Sequence, residues 1–184
     1  PSITAAVFVP DYELSTEKAR QALPRELPYK DAVYNVSRVG LLPAAMNPMV
    51  LAQAAQQGKS GVAAAPAQDA DTCACAGGTR ESPFADELAA AQAQSNALLF
   101  TATQDKLHQP YRGTLMPPST ELIALFRSKG YAAAVSGAGP CVLVLHYGNA
   151  REDIDQIASE QLASGHWRVL HLPINTAGVE IERR

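Results

Sequence analysis

The sequence is poor in the residues that mark several large classes of protein. Only 3 of its 184 residues are cysteines, and aromatic residues make up 6% of the chain. An odd number of cysteines, two of which (Cys73 and Cys75) are separated by a single residue, does not build the disulfide framework of a small secreted domain. The cysteine usage therefore predicts a reducing, cytoplasmic compartment.

The sequence also has no large excess of charge of one sign and no long apolar run. The formal net charge is only −3, and no basic stripe with interleaved aromatic residues follows the chain. Because nucleic acid is bound through such basic surfaces, no nucleic-acid partner is expected. No apolar run approaches the roughly 20 residues that a helix needs to cross a bilayer, and no signal-peptide pattern precedes Ile3. No membrane partner is expected either.

Patterns typical of metal sites and of nucleophilic catalysis do not occur. Cys73 and Cys75 have no second cysteine or histidine pair at zinc-site spacing, so no metal site is predicted. His108 has no serine or cysteine nucleophile pattern beside it, and a structural hydrogen bond at a helix end is the preferred interpretation.

The chain does contain enough apolar residues, 47%, for one buried core. "ITAAVFVP" at the start predicts a buried strand, "YAAAVS" and "CVLVLHY" predict two more, and "HWRVLHLPINTAGVEIE" predicts strand, bend and strand. Apolar periodicity and capping residues predict helices beginning near residues 15, 29, 85, 119 and 149. This order predicts an α+β domain with a mixed or antiparallel sheet and helices packed on one face.

Residues 57–83 differ from the rest of the chain. They are rich in alanine, glycine and other small residues and have almost no large apolar side chains. Such a segment cannot bury enough surface to offset the entropy lost on ordering. We expect a flexible insertion at about residues 57–83 within a single domain that otherwise spans residues 1–184.

A glycine-rich turn, "SGAGP", joins the two central strand patterns. Its residues Ser136, Gly137, Ala138 and Gly139 could direct backbone N–H groups at an oxyanion, or they could form a tight connection between two strands. The turn lacks the lysine of a GxxxxGK[ST] loop and the third glycine of a dinucleotide fingerprint, and a strand follows it. From these residues alone, the tight strand connection is favoured.

Two arginines, Arg38 in "YNVSR" and Arg112 in "HQPYR", lie beside polar neighbours on or just after a helix. A guanidinium group binds a carboxylate or a phosphate through two parallel hydrogen bonds, and a structural or surface salt bridge is the alternative. Asn35 and Arg38 share one side of the predicted helix, so both can point to the same place.

Four stretches in this order carry a resemblance to a known family: "DAVYNVSRVGLL", "DKLHQPYRGTLMP", "VSGAGPCVLVL" and "NTAGVEIE". Together they resemble the C-terminal half of the homoserine kinases, which belong to the GHMP kinase superfamily, over nearly the whole chain outside residues 57–83. The resemblance implies the substrate-side fold of these kinases. It also implies transfer of the γ-phosphate of ATP to the hydroxyl of L-homoserine, giving O-phospho-L-homoserine in threonine biosynthesis.

The resemblance assigns roles to the residues singled out above. Arg38 and Arg112 would hold the carboxylate of L-homoserine, and Asn35 would line the same pocket. The loop Ser136, Gly137, Ala138, Gly139 would brace the phosphate-binding loop of the kinase. Homodimers are common in that family, so the resemblance leaves a homodimer as one oligomeric state for this chain.

One departure from the family pattern is large. The principal phosphate loop, of the PxxxGLGSS type, and the residues near it that would hold Mg²⁺ do not occur in this sequence. The resemblance places them in an N-terminal half, which would bind most of ATP and Mg²⁺ and leave no catalytic residue and no metal ligand in this chain. The chain is therefore expected to be an inactive fragment. Two alternatives stay open: an amino-acid-binding regulatory module, and a GHMP kinase for another small hydroxyl substrate.

Overall fold

The computed structural model describes residues 3–47, 83–174, 178 and 181–182. The predicted insertion, apart from Pro83, lies outside the described residues, together with Cys73 and Cys75. Most of the closing stretch "NTAGVEIE" lies outside them as well. Across the described ranges, no helix combines the length and the apolar composition needed to cross a bilayer.

The frame of the fold is an antiparallel sheet of four strands. They are β1 (Ile3–Pro10), β2 (Ala132–Val135), β3 (Val142–Tyr147) and β4 (Trp167–Leu172). Their order in the sheet is β2-β3-β1-β4, and each strand is antiparallel to its neighbours. The strands predicted at the start of the chain, on both sides of the glycine turn and after residue 166 are confirmed.

The described helices are α1 to α8 together with one short 3₁₀ turn. In chain order they are α1 Thr16–Gln21, α2 Tyr29–Val39, α3 Leu42–Ala45, α4 Pro83–Ala102, α5 Gln109–Arg112, the 3₁₀ turn Gly113–Leu115, α6 Pro117–Ser128, α7 Arg151–Ile157 and α8 Ser159–Ala163. Ser15 caps α1 as predicted, because its hydroxyl accepts a hydrogen bond from the backbone N–H of Lys18 (3.4 Å).

One face of the sheet carries the main apolar core. β1 and β2 run in the same direction with β3 between them, and β3 and β4 run in the same direction with β1 between them. The connection from β1 to β2 ends with α6 and the connection from β3 to β4 contains α7 and α8, as in two interlocked βαβ units. Phe8 of β1 packs against Phe126 of α6 with ring centroids 5.1 Å apart. Val142 of β3 and Ile154 of α7 are fully buried in the same cluster.

A second apolar cluster covers the opposite face. Ala45 of α3 and Leu99 of α4 pack there against Leu145 and Tyr147 of β3. The α+β class and the antiparallel sheet are confirmed, but the helices cover both faces, whereas packing on one face was expected. The reason is that β3 is apolar on both sides, so each face of the strand needs a cover.

Two helix boundaries differ from the sequence-based expectation. The helix expected to run from about residue 85 to Pro110 ends at Ala102, and α5 starts separately at Gln109 because the Asp105 carboxylate accepts its first backbone N–H groups. Ser119, considered as a cap, lies inside α6 and is buried. That helix begins at Pro117, whose missing N–H costs nothing in a first turn.

Candidate anion-binding site

Helix α2 packs on the rest of the molecule through its polar side. None of its residues is buried, and Val33, Val36 and Val39 are 48%, 73% and 59% exposed. Tyr34, Asn35 and Arg38 form hydrogen bonds with residues 104–106, and Asp31 lies 3.8 Å from Lys106 Nζ in an ion pair. Hydrogen bonds, rather than apolar burial, therefore fix the position of α2.

Arg38 is held by neutral groups. Its Nε donates to Gln104 Oε1 (3.1 Å) and its Nη1 donates to Ser37 Oγ (3.4 Å). The guanidinium carbon lies 4.2 Å from the centre of the Tyr34 ring, in a cation–π contact. The Tyr34 hydroxyl donates to the same Gln104 oxygen (2.5 Å), so Gln104 positions both side chains.

Arg112 connects three parts of the chain. It is the last residue of α5; its Nε donates to the carbonyl of Ala19 in α1 (3.2 Å), and its Nη1 donates to the carbonyl of Gly137 (3.3 Å). The structure thus brings one of the two predicted substrate-binding arginines into direct contact with the predicted phosphate-side loop. Arg38 and Arg112 have different partners and are connected only indirectly, through the segment between Gln104 and α5.

Neither guanidinium group is neutralised within the described ranges. The ion pairs of this part of the chain, defined by N–O distances up to 4.0 Å, involve Lys106 and three histidines, and none of them includes Arg38 or Arg112. Their acceptors are carbonyl, amide and hydroxyl oxygens, which carry no net charge. Within these ranges no carboxylate is paired with either guanidinium group, so an anion can bind to each of them.

The loop after β2 is a tight, braced connection between two strands, the form that the residues alone favoured. The Ser136 N–H donates to the Cys141 carbonyl (2.8 Å), and Gly137 and Gly139 have φ of 63° and 90°, a region that favours glycine. The buried Ser119 hydroxyl donates to the carbonyl of Pro140 (2.5 Å). Only glycine fits at position 139, because a Cβ there would lie 2.6 Å from the sulfur of Met116.

Asp105 lies at the centre of the hydrogen bonds between α2 and α5. Its carboxylate accepts the backbone N–H groups of Leu107 (3.1 Å), His108 (2.9 Å) and Gln109 (2.6 Å). It also accepts a hydrogen bond from Asn35 Nδ2 (2.5 Å). Burial raises the pKa of Asp105, but these four hydrogen bonds outweigh it, and the pKa lies below the ordinary value of an aspartate.

Asn35 uses both ends of its amide in this network. Besides donating to Asp105, it accepts the backbone N–H of Lys106 at its Oδ1 (2.8 Å). His108 Nε2 lies 3.6 Å from Asp105 Oδ1, too far for a hydrogen bond, and its buried Nδ1 has no hydrogen-bond partner among the described residues, so the structural hydrogen bond expected for this histidine is not found there.

Asp105 and Gln104 were not predicted from the sequence, and Ser119 was marked only as a helix cap. A signal existed for Asp105, since an aspartate three to four residues before a short helix is a common acceptor for its first N–H groups. No local pattern marks the contacts of Gln104 or Ser119, because their partners are distant in the chain.

A cavity of about 320 Å³ opens beside this network. Its lining includes Tyr34, Gln104, Asp105, Lys106, Gln109 and Arg127. Arg127 donates to the carbonyls of Phe100 (2.7 Å) and Ala133 (3.0 Å) and therefore connects α4, α6 and β2. Arg38 and Arg112 lie outside this lining, whereas Arg127 lies within it and likewise has only neutral hydrogen-bond partners and no ion pair among the described residues. In the described ranges, no group of three or more His, Cys, Asp or Glu side chains is placed to hold a metal ion.

The class of protein follows from the fold together with a family match. Residues 84–164, which contain α5, α6, β2, β3 and α7, match the family model for the C-terminal domain of GHMP kinases. This part of the chain therefore matches the C-terminal domain of GHMP kinases, and the four-stranded antiparallel sheet with its helices is the α+β fold in which the match lies.

Within this family the chain is similar to homoserine kinases. It is 32% identical over 183 residues to the homoserine kinase of Corynebacterium aurimucosum, covering 100% of this chain and 43% of that protein. It is 32% identical over 185 residues to the homoserine kinase of Leifsonia xyli subsp. xyli, with 98% and 42% covered. A homoserine kinase structure from Cytophaga hutchinsonii has the same fold, with a TM-score of 0.57 at 17% identity, covering 93% of this chain and 41% of that one. The chain thus spans about two-fifths of the length of these relatives.

Proposed function

We propose that this chain is the substrate-side part of a homoserine kinase and that Arg38 and Arg112 bind the carboxylate of L-homoserine. The observation that carries the proposal is that both guanidinium groups are fixed by neutral partners, while Arg112 also holds the loop at Gly137 (3.3 Å). One residue therefore connects the amino-acid side of the site with its phosphate side.

The proposed contribution of this chain to catalysis is positioning. Phosphoryl transfer depends mainly on alignment and on stabilisation of the charge on the transferring group. Two guanidinium groups at the carboxylate would fix one end of L-homoserine and leave its side-chain hydroxyl free to face the γ-phosphate of ATP. The loop 136–139, braced by Arg112 and Ser119, would support the phosphate-binding loop.

ATP and Mg²⁺ would be bound mainly by the part of the relatives that this chain does not span. The described residues offer no cluster of three or more metal-ligating side chains. We propose the cytoplasm, the compartment that the cysteine usage predicts, as the place of the reaction.

Substitution of the arginines tests the carboxylate assignment. In the longer kinase that the proposal implies, Arg38→Ala and Arg112→Ala should each raise KM for L-homoserine about tenfold to hundredfold, because each removes a charged hydrogen-bond donor. Arg168→Ala, which removes an exposed arginine on β4, is the matched control and should leave KM unchanged. An unchanged KM in both arginine variants would reject the assignment and favour a different hydroxyl substrate.

A second experiment uses the 184-residue chain itself. We expect no L-homoserine-dependent formation of ADP from ATP by this chain alone, measured by chromatography of the nucleotides. Formation of ADP above a protein-free control would contradict the proposed division of labour. Sequencing the coding region upstream of Pro1 distinguishes the kinase from an amino-acid-binding module, since only the kinase requires a GLGSS-type loop there.

A further inference from the structure

We infer that Asp105 is a positioning residue that fixes Arg38 and Arg112 relative to each other. The inference rests on the proposed function, because it concerns how the two proposed carboxylate-binding groups are placed. No contact of Asp105 with a substrate is involved; the residue acts through the two segments that carry the arginines.

The position of Arg112 depends on a very short helix, α5. Helix α5 has only four residues, Gln109–Arg112, and a helix of this length does not hold its own direction. The Asp105 carboxylate binds the backbone N–H groups of Leu107, His108 and Gln109, which fixes the entry into this helix. Arg112 lies one turn later, so the direction of α5 determines where its guanidinium lies.

The position of Arg38 depends on the helix that carries it, α2. Because α2 has no buried residue, its position depends on the hydrogen bonds of its polar side. Asn35 donates to Asp105 (2.5 Å) and accepts from the Lys106 N–H (2.8 Å), and it lies less than one turn before Arg38. The same carboxylate therefore fixes the start of α5 and the middle of α2.

The donors around Asp105 require a carboxylate at this position. Asp105 accepts four hydrogen bonds from four donors, and its side chain is only 7% exposed. An asparagine would place an N–H₂ group against one pair of these donors. Loss of the carboxylate should therefore loosen α2 and α5 at the same time, while leaving both arginines in the chain.

The test compares two aspartates of the longer kinase. Asp105→Asn should raise KM for L-homoserine about tenfold, because the charged hydrogen bonds that place the arginines in the free enzyme are lost. It should change kcat at saturating substrate by less than about threefold, because the reacting groups are retained. Asp31→Asn is the matched control: it removes the same charge from a carboxylate 3.8 Å from Lys106 Nζ, and it should leave KM within about twofold, as expected for a weak ion pair.

A substrate analogue separates positioning from a general loss of structure. The amino alcohol that lacks the carboxylate of L-homoserine cannot use the arginines, so its KM should be the same in Asp105→Asn and in the unsubstituted kinase. Equal rises of KM for L-homoserine and for the amino alcohol would overturn the inference, as would an unchanged KM for L-homoserine.

The outcomes also separate this inference from the proposed function. If the arginine variants raise KM and Asp105→Asn does not, only the inference fails. If neither arginine variant changes KM, both fail. Should Asp105→Asn not fold, Asn35→Ala is the decisive variant, compared on L-homoserine and on the amino alcohol, since it removes the connection of Asp105 to α2. It should raise KM for L-homoserine a few-fold, by about the contribution of one hydrogen bond, and an unchanged KM would overturn the inference.

Discussion

The sheet core and the surface that carries the arginines are held together by different forces. In the core, Phe8, Phe126, Val142 and Ile154 are 0% exposed and belong to one apolar cluster. In the surface network, α2 has no buried residue and is held by hydrogen bonds. Apolar packing supplies the stability of the frame, whereas directional polar contacts place the guanidinium groups.

This difference has a physical consequence for substitutions. Apolar contacts are non-directional and roughly proportional to buried area, so a change in the core costs stability and alters local geometry little. A hydrogen bond to a charged group depends on distance and angle. A substitution in the network should therefore lower the free energy of unfolding less than one in the core, and it should displace the hydrogen-bonded groups more. The substitutions below test this contrast, beginning with the largest expected loss of stability.

Phe126→Ala should have the largest effect. The ring is fully buried and packs 5.1 Å from the Phe8 ring, so its removal leaves a cavity between α6 and the sheet. We expect a loss of about 3–5 kcal/mol in the free energy of unfolding, measured by urea denaturation of the 184-residue chain. Phe126→Leu, which keeps most of the volume, should lose clearly less. A loss below about 1 kcal/mol for Phe126→Ala would show that this cluster is not the main source of stability.

Gly139→Ala should come second. The residue has φ of 90°, and a Cβ would lie 2.6 Å from the Met116 sulfur, so strain and steric clash add. We expect a loss of about 2–4 kcal/mol in thermal denaturation. Gly137→Ala is the matched control, because it has φ of 63° but open space around the new methyl group, and it should lose about 1–2 kcal/mol. Equal losses at the two positions would mean that the contact with Met116 is unimportant.

Much of the frame was predictable from the sequence, since it follows local patterns. The strands on both sides of the glycine turn and the cap at Ser15 were found from apolar runs, glycine and one capping hydroxyl. The helices on the second face of the sheet were not predicted, because β3 carries apolar residues on both sides and so shows no alternation of polar and apolar residues. A continuous apolar strand does not show from its sequence how many layers pack on it.

The candidate site was predictable only where a residue carries its own chemistry. Arg38 and Arg112 could be singled out because a guanidinium is a known anion-binding group. Asp105 and Gln104 could not, because their importance lies in contacts with α2, about 70 residues earlier in the chain. The direct contact of Arg112 with Gly137 likewise depends on the fold bringing α5 beside the loop.

Asp105→Asn should have a smaller effect on stability, and one that depends on pH. Because the folded-state pKa of Asp105 lies below its ordinary value of about 3.9, the ionised carboxylate stabilises the folded chain above that pH, and this contribution is lost as the pH falls through the folded-state pKa. The difference in free energy of unfolding between the unsubstituted chain and Asp105→Asn should therefore be constant near neutral pH and shrink below about pH 4.

His146 provides an internal reference for that pH measurement. Burial lowers its pKa, with Asp153 opposing the shift, so stability should fall as the pH drops below the ordinary histidine value of about 6.5. Because His146 is unchanged in Asp105→Asn, this higher-pH loss should be the same in both proteins. A difference between them that grows toward low pH would contradict the assigned direction for Asp105.

Val36→Thr should have the smallest effect, and it tests the contrast most directly. Val36 is 73% exposed on the outer side of α2, opposite the polar side that contacts residues 104–106. The free energy of unfolding of the 184-residue chain should change by less than about 0.5 kcal/mol, measured by urea denaturation. Asn35→Ala, one residue earlier and on the polar side, should lose about 1–2 kcal/mol because it removes one of the four hydrogen bonds to the Asp105 carboxylate and the acceptor of the Lys106 N–H. If Val36→Thr lost more than Asn35→Ala, apolar contacts would hold α2, and the polar network could not be what places Arg38.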